Sequence, residues 1–186
     1  MNRFTMFDTP LAGLIEVERH QLIDSRGFLT RIFCAEELAA FGWTKPVAQI
    51  NHTSTAVSGT IRGMHFQAPP HAEIKLVSCL RGEVWDVAVD IRPGSPTFLH
   101  WHGAHLSSKN CRALLIPEGF AHGFQTLTDD AELLYCHSAA YVSGSEGGLN
   151  PQDPELAIDW PIPVTEISDR DMSHPLIDTS FKGVYS

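Results

Sequence analysis

The stretch Glu83-Val-Trp-Asp-Val-Ala-Val-Asp90 reads as one extended strand, and it decides the fold class. It opens after Gly82 and stops before Pro93-Gly94-Ser95-Pro96, so turn residues bound it at both ends. Side chains alternate across a strand with period two, which puts Val84, Asp86 and Ala88 on one face and Trp85, Val87 and Val89 on the other. An aspartate among small apolar residues signals a lined cavity or a specific hydrogen bond. On either side lie further strand-like runs: Leu14–Val17, Ile74–Leu80, Arg112–Ile116 and Ala131–Cys136. Between the runs come turn signals at Ser25-Arg26-Gly27, Arg81-Gly82, Pro117-Glu-Gly119 and Thr128-Asp-Asp130. Helical signal is sparse: Ala35–Phe41 suits a short helix that ends at Gly42. Pro151, Pro154, Pro161, Pro163 and Pro175 make the tail a series of short turns that wraps the body. Many short strands with Gly/Pro turns predict an all-β chain, a sandwich or a jelly roll. No repeat or linker interrupts it, so residues 1–186 read as one domain.

The chain carries 13 Lys+Arg against 22 Asp+Glu, a formal net charge of −9. That balance argues against nucleic acid or an anionic membrane as partner, and any anionic ligand needs a local basic cluster. The four cysteines contain no CxxC pair, which excludes a zinc ribbon or a thioredoxin motif and fits buried thiols in a reducing compartment. The first residues lack the apolar core of a signal peptide, and no apolar run approaches the ~20 residues of a membrane span. The expectation is a cytoplasmic protein.

Two segments carry chemistry. Arg62-Gly-Met-His-Phe-Gln-Ala-Pro69 sets a cation three positions from an imidazole, and Lys75 follows inside a strand-like run. An imidazole titrates near neutrality, so His65 between two cations suits proton transfer on an anionic substrate. Ile116-Pro-Glu-Gly-Phe-Ala-His-Gly-Phe124 contains Pro-x-Gly-x-x-His, the spacing of the second cupin motif, where a tight turn swings His122 into the mouth of a barrel. Metal cupins pair it with a His-x-His, which points two imidazoles inward from one strand. Here that place reads His65-Phe66-Gln67, and Gln is a poor ligand for a transition metal. His100-Trp-His102, with His105 nearby, has metal spacing, yet no carboxylate follows, and surface histidines are the reading favoured. No metal site is expected.

These segments resemble, in order, those of the sugar-nucleotide 3,5-epimerases that act on dTDP-4-dehydro-6-deoxyglucose on the route to dTDP-rhamnose. The matching pieces include Asp24–Phe28, Gln49–Asn51, Ile61–Gln67, Lys75–Val77, Val84–Arg92, Ser95–Phe98, Leu106-Ser107, Ile116–Phe124, Ala131–Tyr135 and Ile158–Pro161. The resemblance implies a cupin-type jelly roll (a double-stranded β-helix) with short peripheral helices, and an isomerase without cofactor. It implies His65 as general base, Asp171 as the acid that orients it, Lys75 as the group that stabilises an enolate, and Tyr135 as proton donor on the opposite face. It also implies substrate contacts from Arg26, Gln49, Asn51, Arg62, His122, Tyr141, Glu146 and Arg170. The family's homodimer exchanges an N-terminal strand, so Arg26 is expected to act in its neighbour's site. The nucleotide-diphosphate sugar is the expected ligand, and deoxysugar supply for lipopolysaccharide O-antigen the expected role.

Two positions depart from the family pattern. Arg31 stands where a glutamate is usual, which reverses a charge in or near the nucleotide pocket. Leu22 stands where a phenylalanine often packs on the base, so a non-thymidine nucleotide, or inversion at a single carbon, is the alternative. A ketoisomerase of the same substrate uses similar groups, with Tyr135 favouring inversion. A metal-dependent cupin oxygenase and a non-catalytic sugar-binding cupin are the readings from other classes.

Overall fold

The computed structural model describes residues 2–184. In chain order the elements are β1 (Phe4–Asp8), β2 (Ile15–Arg19), β3 (Gln21–Asp24), β4 (Gly27–Thr30), α1 (Ala35–Ala39), β5 (Gln49–Thr55), β6 (Thr60–Gln67) and β7 (Lys75–Arg81). They continue with β8 (Glu83–Asp90), β9 (Trp101–Ser107), β10 (Arg112–Ile116), β11 (Phe120–Thr126), β12 (Ala131–His137), β13 (Glu146–Gly148), β14 (Glu166–Ile167) and α2 (Asp169–Met172). One sheet runs β1-β2-β10-β7-β12-β5 and the other β13-β6-β11-β8-β9, with β14 beside β6. From β6 to β12 the chain crosses between the sheets at nearly every step, which is the winding of a cupin-type jelly roll. The β8 strand matches its sequence boundaries at both ends, and the alternation is as read. Val84 and Ala88 join Leu106, Phe124, Leu114 and Leu133 in the core between the sheets, while Val87 and Val89 face outward.

The outer faces are also covered, which explains why these strands are apolar on both sides. Leu38 of α1 and Trp43 cap the first sheet. The tail caps the second, where Leu156, Trp160, Ile177 and Phe181 pack over Val87 and Val89. The helix is shorter than the sequence suggests: it stops at Ala39, and Gly42 at φ +106° turns the chain so that Trp43 N–H reaches the Leu38 carbonyl at 3.1 Å. Among the described residues, hairpin β3–β4 forms a two-stranded sheet of its own, apart from both larger sheets.

Asp90 closes the turn after β8. Its carboxylate accepts from Arg92 N at 3.0 Å, Nε at 2.8 Å and Nη2 at 2.7 Å, and from the hydroxyls of Ser95 at 2.6 Å and Thr97 at 2.7 Å. Burial alone would push this carboxyl up; Arg92, Ser95 and Thr97 outweigh it and hold it down at about 2. A depressed folded-state value contributes stability above the unfolded value and loses it as pH falls toward about 2. Asp90→Asn is therefore expected to cost about 2 kcal/mol near neutral pH, with the deficit shrinking as pH drops from about 4 to about 2. Urea unfolding of both proteins across that range checks it; a deficit independent of pH would refute the assignment.

Candidate active site

Two glycines set the stage. A Cβ on Gly63, which sits at φ +133°, would meet Gly123 Cα at 2.5 Å, and a Cβ on Gly123 would meet the Arg62 carbonyl at 2.8 Å. The strands β6 and β11 approach closely only because both positions lack one. The ladder is irregular there, and His65 stands opposite His122. A cavity of about 690 Å³ opens beside them, between β6 and β11 of one sheet and β5, β7 and β12 of the other.

His65 Nε2 lies 2.7 Å from Asp171 Oδ1, and the second carboxylate oxygen accepts from Gly63 N–H at 3.2 Å. Ser168 caps α2 by accepting from Asp171 N–H at 3.1 Å, which fixes the acid on the short helix that carries it. The Asp171 side chain is 5% exposed and that of His65 32%, so the acid is buried behind a ring that borders the cavity. Burial lowers the His65 pKa below its ordinary 6.5, Lys75 lowers it further, and Asp171 opposes both. Burial would raise the Asp171 carboxyl, but its bonds to His65, Gly63 and Ser168 hold it below the usual range. An ionised Asp171 accepts, so Nε2 carries the proton and Nδ1 is the nitrogen left to take another.

Tyr135 enters from β12, in the sheet opposite β6. It is buried, and that burial pushes its phenol far above the ordinary 10. The ring lies edge-on to His122 and stacked on His137, with centroids 6.0 Å away in each case. Lys75 begins β7 in the same sheet, and its Nζ pairs with Glu73 Oε1 at 3.0 Å. His122 Nε2 is 2.9 Å from Asp86, the inward aspartate of β8. Arg62 Nε donates to Thr55 Oγ1 at 3.0 Å. Toward the rim, Tyr141 OH donates to Glu146 at 2.6 Å and Arg170 pairs with the same carboxylate at 2.5 Å. Asn51 lines the cavity and accepts from Gln49 Nε2 at 3.0 Å.

Thus His65, Asp171, Lys75, Tyr135, Asn51, Arg62, His122, Tyr141, Glu146 and Arg170 all border one cavity. Gln49 sits just behind it. Arg26 lies at the tip of the β3–β4 hairpin, paired with Asp24, and Arg31 pairs with Glu37 of α1; neither reaches this chain's own cavity. The reversed charge at Arg31 is therefore matched within the chain. The Gln67 amide is consumed by backbone: it donates to the carbonyls of His71 at 3.1 Å and Ala140 at 3.3 Å and accepts from Val142 N–H at 2.7 Å. His102 and His105 pair with Glu16 and Glu83. Among the described residues no three His, Cys, Asp or Glu gather as a metal site, and no helix is long and apolar enough to cross a membrane. Glu73 and His137, both on the cavity wall, had not been read from the sequence. The signal was available: each stands two positions from a chosen residue, Lys75 and Tyr135, and so shares its face.

A jelly roll holding an imidazole on β6 backed by a carboxylate from α2, an ammonium and a phenol in the facing sheet, and cations at the rim defines the cupin-type sugar-nucleotide epimerases, an isomerase class. Within that class the chain belongs to the dTDP-4-dehydrorhamnose 3,5-epimerase family, whose model matches residues 8–179. It is 44% identical to the dTDP-4-dehydrorhamnose 3,5-epimerase of Shigella flexneri over 81% of this chain and 83% of that one. It is 40% identical to the dTDP-4-dehydrorhamnose 3-epimerase of Streptomyces niveus over 90% and 81%. It is similar in structure to the dTDP-6-deoxy-D-glucose-3,5-epimerase of Legionella pneumophila solved with dTDP-4-keto-L-rhamnose: TM-score 0.91, 38% identity, covering 98% and 99% of the two chains.

Proposed function

We propose that this protein inverts carbons 3 and 5 of dTDP-4-dehydro-6-deoxyglucose to give dTDP-4-dehydrorhamnose, by proton transfer through His65 and Tyr135. The ketone at carbon 4 acidifies the hydrogens on both neighbouring carbons. His65, with its proton held on Nε2 by Asp171, removes one. The charge that develops on the keto oxygen is met by the Lys75 ammonium. Tyr135 then returns a proton from the other side. The observation that carries this reading is the opposition of base and acid: His65 stands on β6 and Tyr135 on β12, in facing sheets across one cavity. A donor on the base's own side would restore the starting configuration. Arg62 and Arg170 supply the charge for the diphosphate and His122 a further contact, and Tyr141, with Gln49 and Asn51, the surface for the nucleoside. Incubation with the sugar nucleotide and NMR of the product tests the reading: inversion at both carbons supports it, at one restricts it, and at neither contradicts it.

Asp171 has a separate signature. Because it raises the His65 pKa against burial, Asp171→Asn is expected to move the acid limb of kcat/KM to lower pH. The amide keeps one acceptor oxygen for two donors; with that oxygen on Gly63 N–H, its NH2 faces Nε2 and reverses the imidazole tautomer, so the plateau falls by about 10²–10⁴-fold. A pH–rate profile of the variant checks both effects; an acid limb shifted to higher pH would contradict the sign.

The hairpin supports a homodimer. Ile23, Phe28 and Leu29 are 75%, 62% and 64% exposed on two strands that no other strand among the described residues flanks. An isolated two-stranded hairpin has little stability of its own, and a second copy would cover it. Arg26 at its tip would then enter the partner's cavity. Phe28→Asp is expected to yield monomer and to lower kcat/KM about tenfold or more as Arg26 is withdrawn. Sedimentation and kinetics check this; a fully active monomer would contradict it.

A further inference from the structure

Glu73 and Lys75 lie two residues apart where the chain enters β7, and the side chains of both are 9% exposed. A charge at that depth is costly to bury unless an opposite charge pairs with it. Glu73 Oε1 is that charge, 3.0 Å away. Its other oxygen accepts from His137 Nδ1 at 2.8 Å. Burial would push the Glu73 carboxyl up, but His137 and Lys75 outweigh it and keep it below its ordinary value. The backbone pins the group: Ile74 N–H donates to Ser138 Oγ at 2.7 Å, and Ser138 N–H to the Ile74 carbonyl at 3.0 Å.

A run of polar contacts reaches His137 from the rim. Tyr141 N–H donates to Gln49 Oε1 at 3.0 Å, and Gln49 Nε2 donates to Asn51 Oδ1 at 3.0 Å. That leaves Asn51 Nδ2 facing His137 Nε2 at 3.4 Å. The other ring nitrogen, Nδ1, faces Glu73, so the imidazole bridges Asn51 and the carboxylate. Four polar contacts in succession link Tyr141 to Glu73, and Lys75 meets that carboxylate from the opposite side.

We propose that Glu73, held by His137, is a positioning residue for the reaction: it is the buried counter-ion that keeps the Lys75 ammonium in place and aimed into the cavity. This rests on the role given above to Lys75. The enolate then meets a charge already assembled, with no reorganisation at the moment of proton transfer.

Glu73→Gln keeps the shape and an acceptor for Lys75 but removes the charge. It is expected to lower kcat about 10- to 100-fold, as loss of a partner that orients a reacting group does. KM and the affinity for dTDP, which also reports that the variant folds, stay within about twofold because the clamp acts on the developing charge. Glu73→Asp recovers part of the loss, and His137→Asn gives a smaller one in kcat. In a Lys75→Met background Glu73→Gln adds nothing further. A crippled Lys75→Met beside an unimpaired Glu73→Gln overturns the clamp alone, and so do equal losses in both backgrounds. Full activity in Lys75→Met overturns the role of Lys75 and the clamp with it. Failure of Glu73→Gln to fold leaves the decision to His137→Asn, whose unchanged kcat would overturn the proposal.

Discussion

His65→Asn is expected to lower kcat by about 10²–10⁴-fold while dTDP still binds, because a general base contributes on that scale and the rim groups are untouched. Burial and Lys75 both depress the imidazole's pKa, with Asp171 opposing, which favours the neutral ring a base requires. Asparagine fills much the same space and can still bond Asp171, so the carboxylate keeps partners in Gly63 N–H at 3.2 Å and the Ser168 cap. What disappears is the nitrogen that takes the proton. Isothermal titration with dTDP and steady-state kinetics separate the two effects. A variant that loses both together would mean the residue holds the site together instead of reacting in it.

Tyr135→Phe is expected to split proton exchange from inversion. The phenol is buried, and its pKa lies far above 10, so it is present as the protonated donor. It belongs to the sheet facing His65, with Lys75 beside it in that sheet. Without it His65 still abstracts, Lys75 still meets the enolate, and the only donor left is on the side from which the proton departed. Epimer formation should fall about 10²–10⁴-fold, while wash-in of solvent deuterium into unchanged substrate falls much less. Equal loss of the two would place Tyr135 in binding or abstraction and deny it the role of acid.

The fold was legible where local signals agree. At β8 the alternation, Gly82 and Pro93 all point to the same strand, and its boundaries follow. The helix suggested by Ala35–Phe41 ends at Ala39, two residues early, because a short irregular stretch precedes the turn at Gly42. Asp86 was legible as an inward carboxylate, and its partner His122 is a neighbour on the adjoining strand. Asp171 is a different case: nothing local distinguishes it from a solvated tail residue, and 106 positions separate it from His65. Only the return of the tail along β6 brings them together, so the resemblance carried that residue where periodicity could not. Gln67 looked like a vacated ligand position, and the structure gives its amide three backbone partners. The hairpin turn at Ser25–Gly27 was readable, whereas its standing apart from both larger sheets among the described residues is a tertiary fact.

Incubation of the protein with dTDP-4-dehydro-6-deoxyglucose in heavy water, followed by NMR at each carbon, tests most directly the claim that His65 exchanges the protons beside the ketone. Deuterium should enter at carbons 3 and 5 with the parent protein and at neither with His65→Asn. Undiminished exchange in His65→Asn, or inversion without uptake of deuterium by the parent, would contradict it.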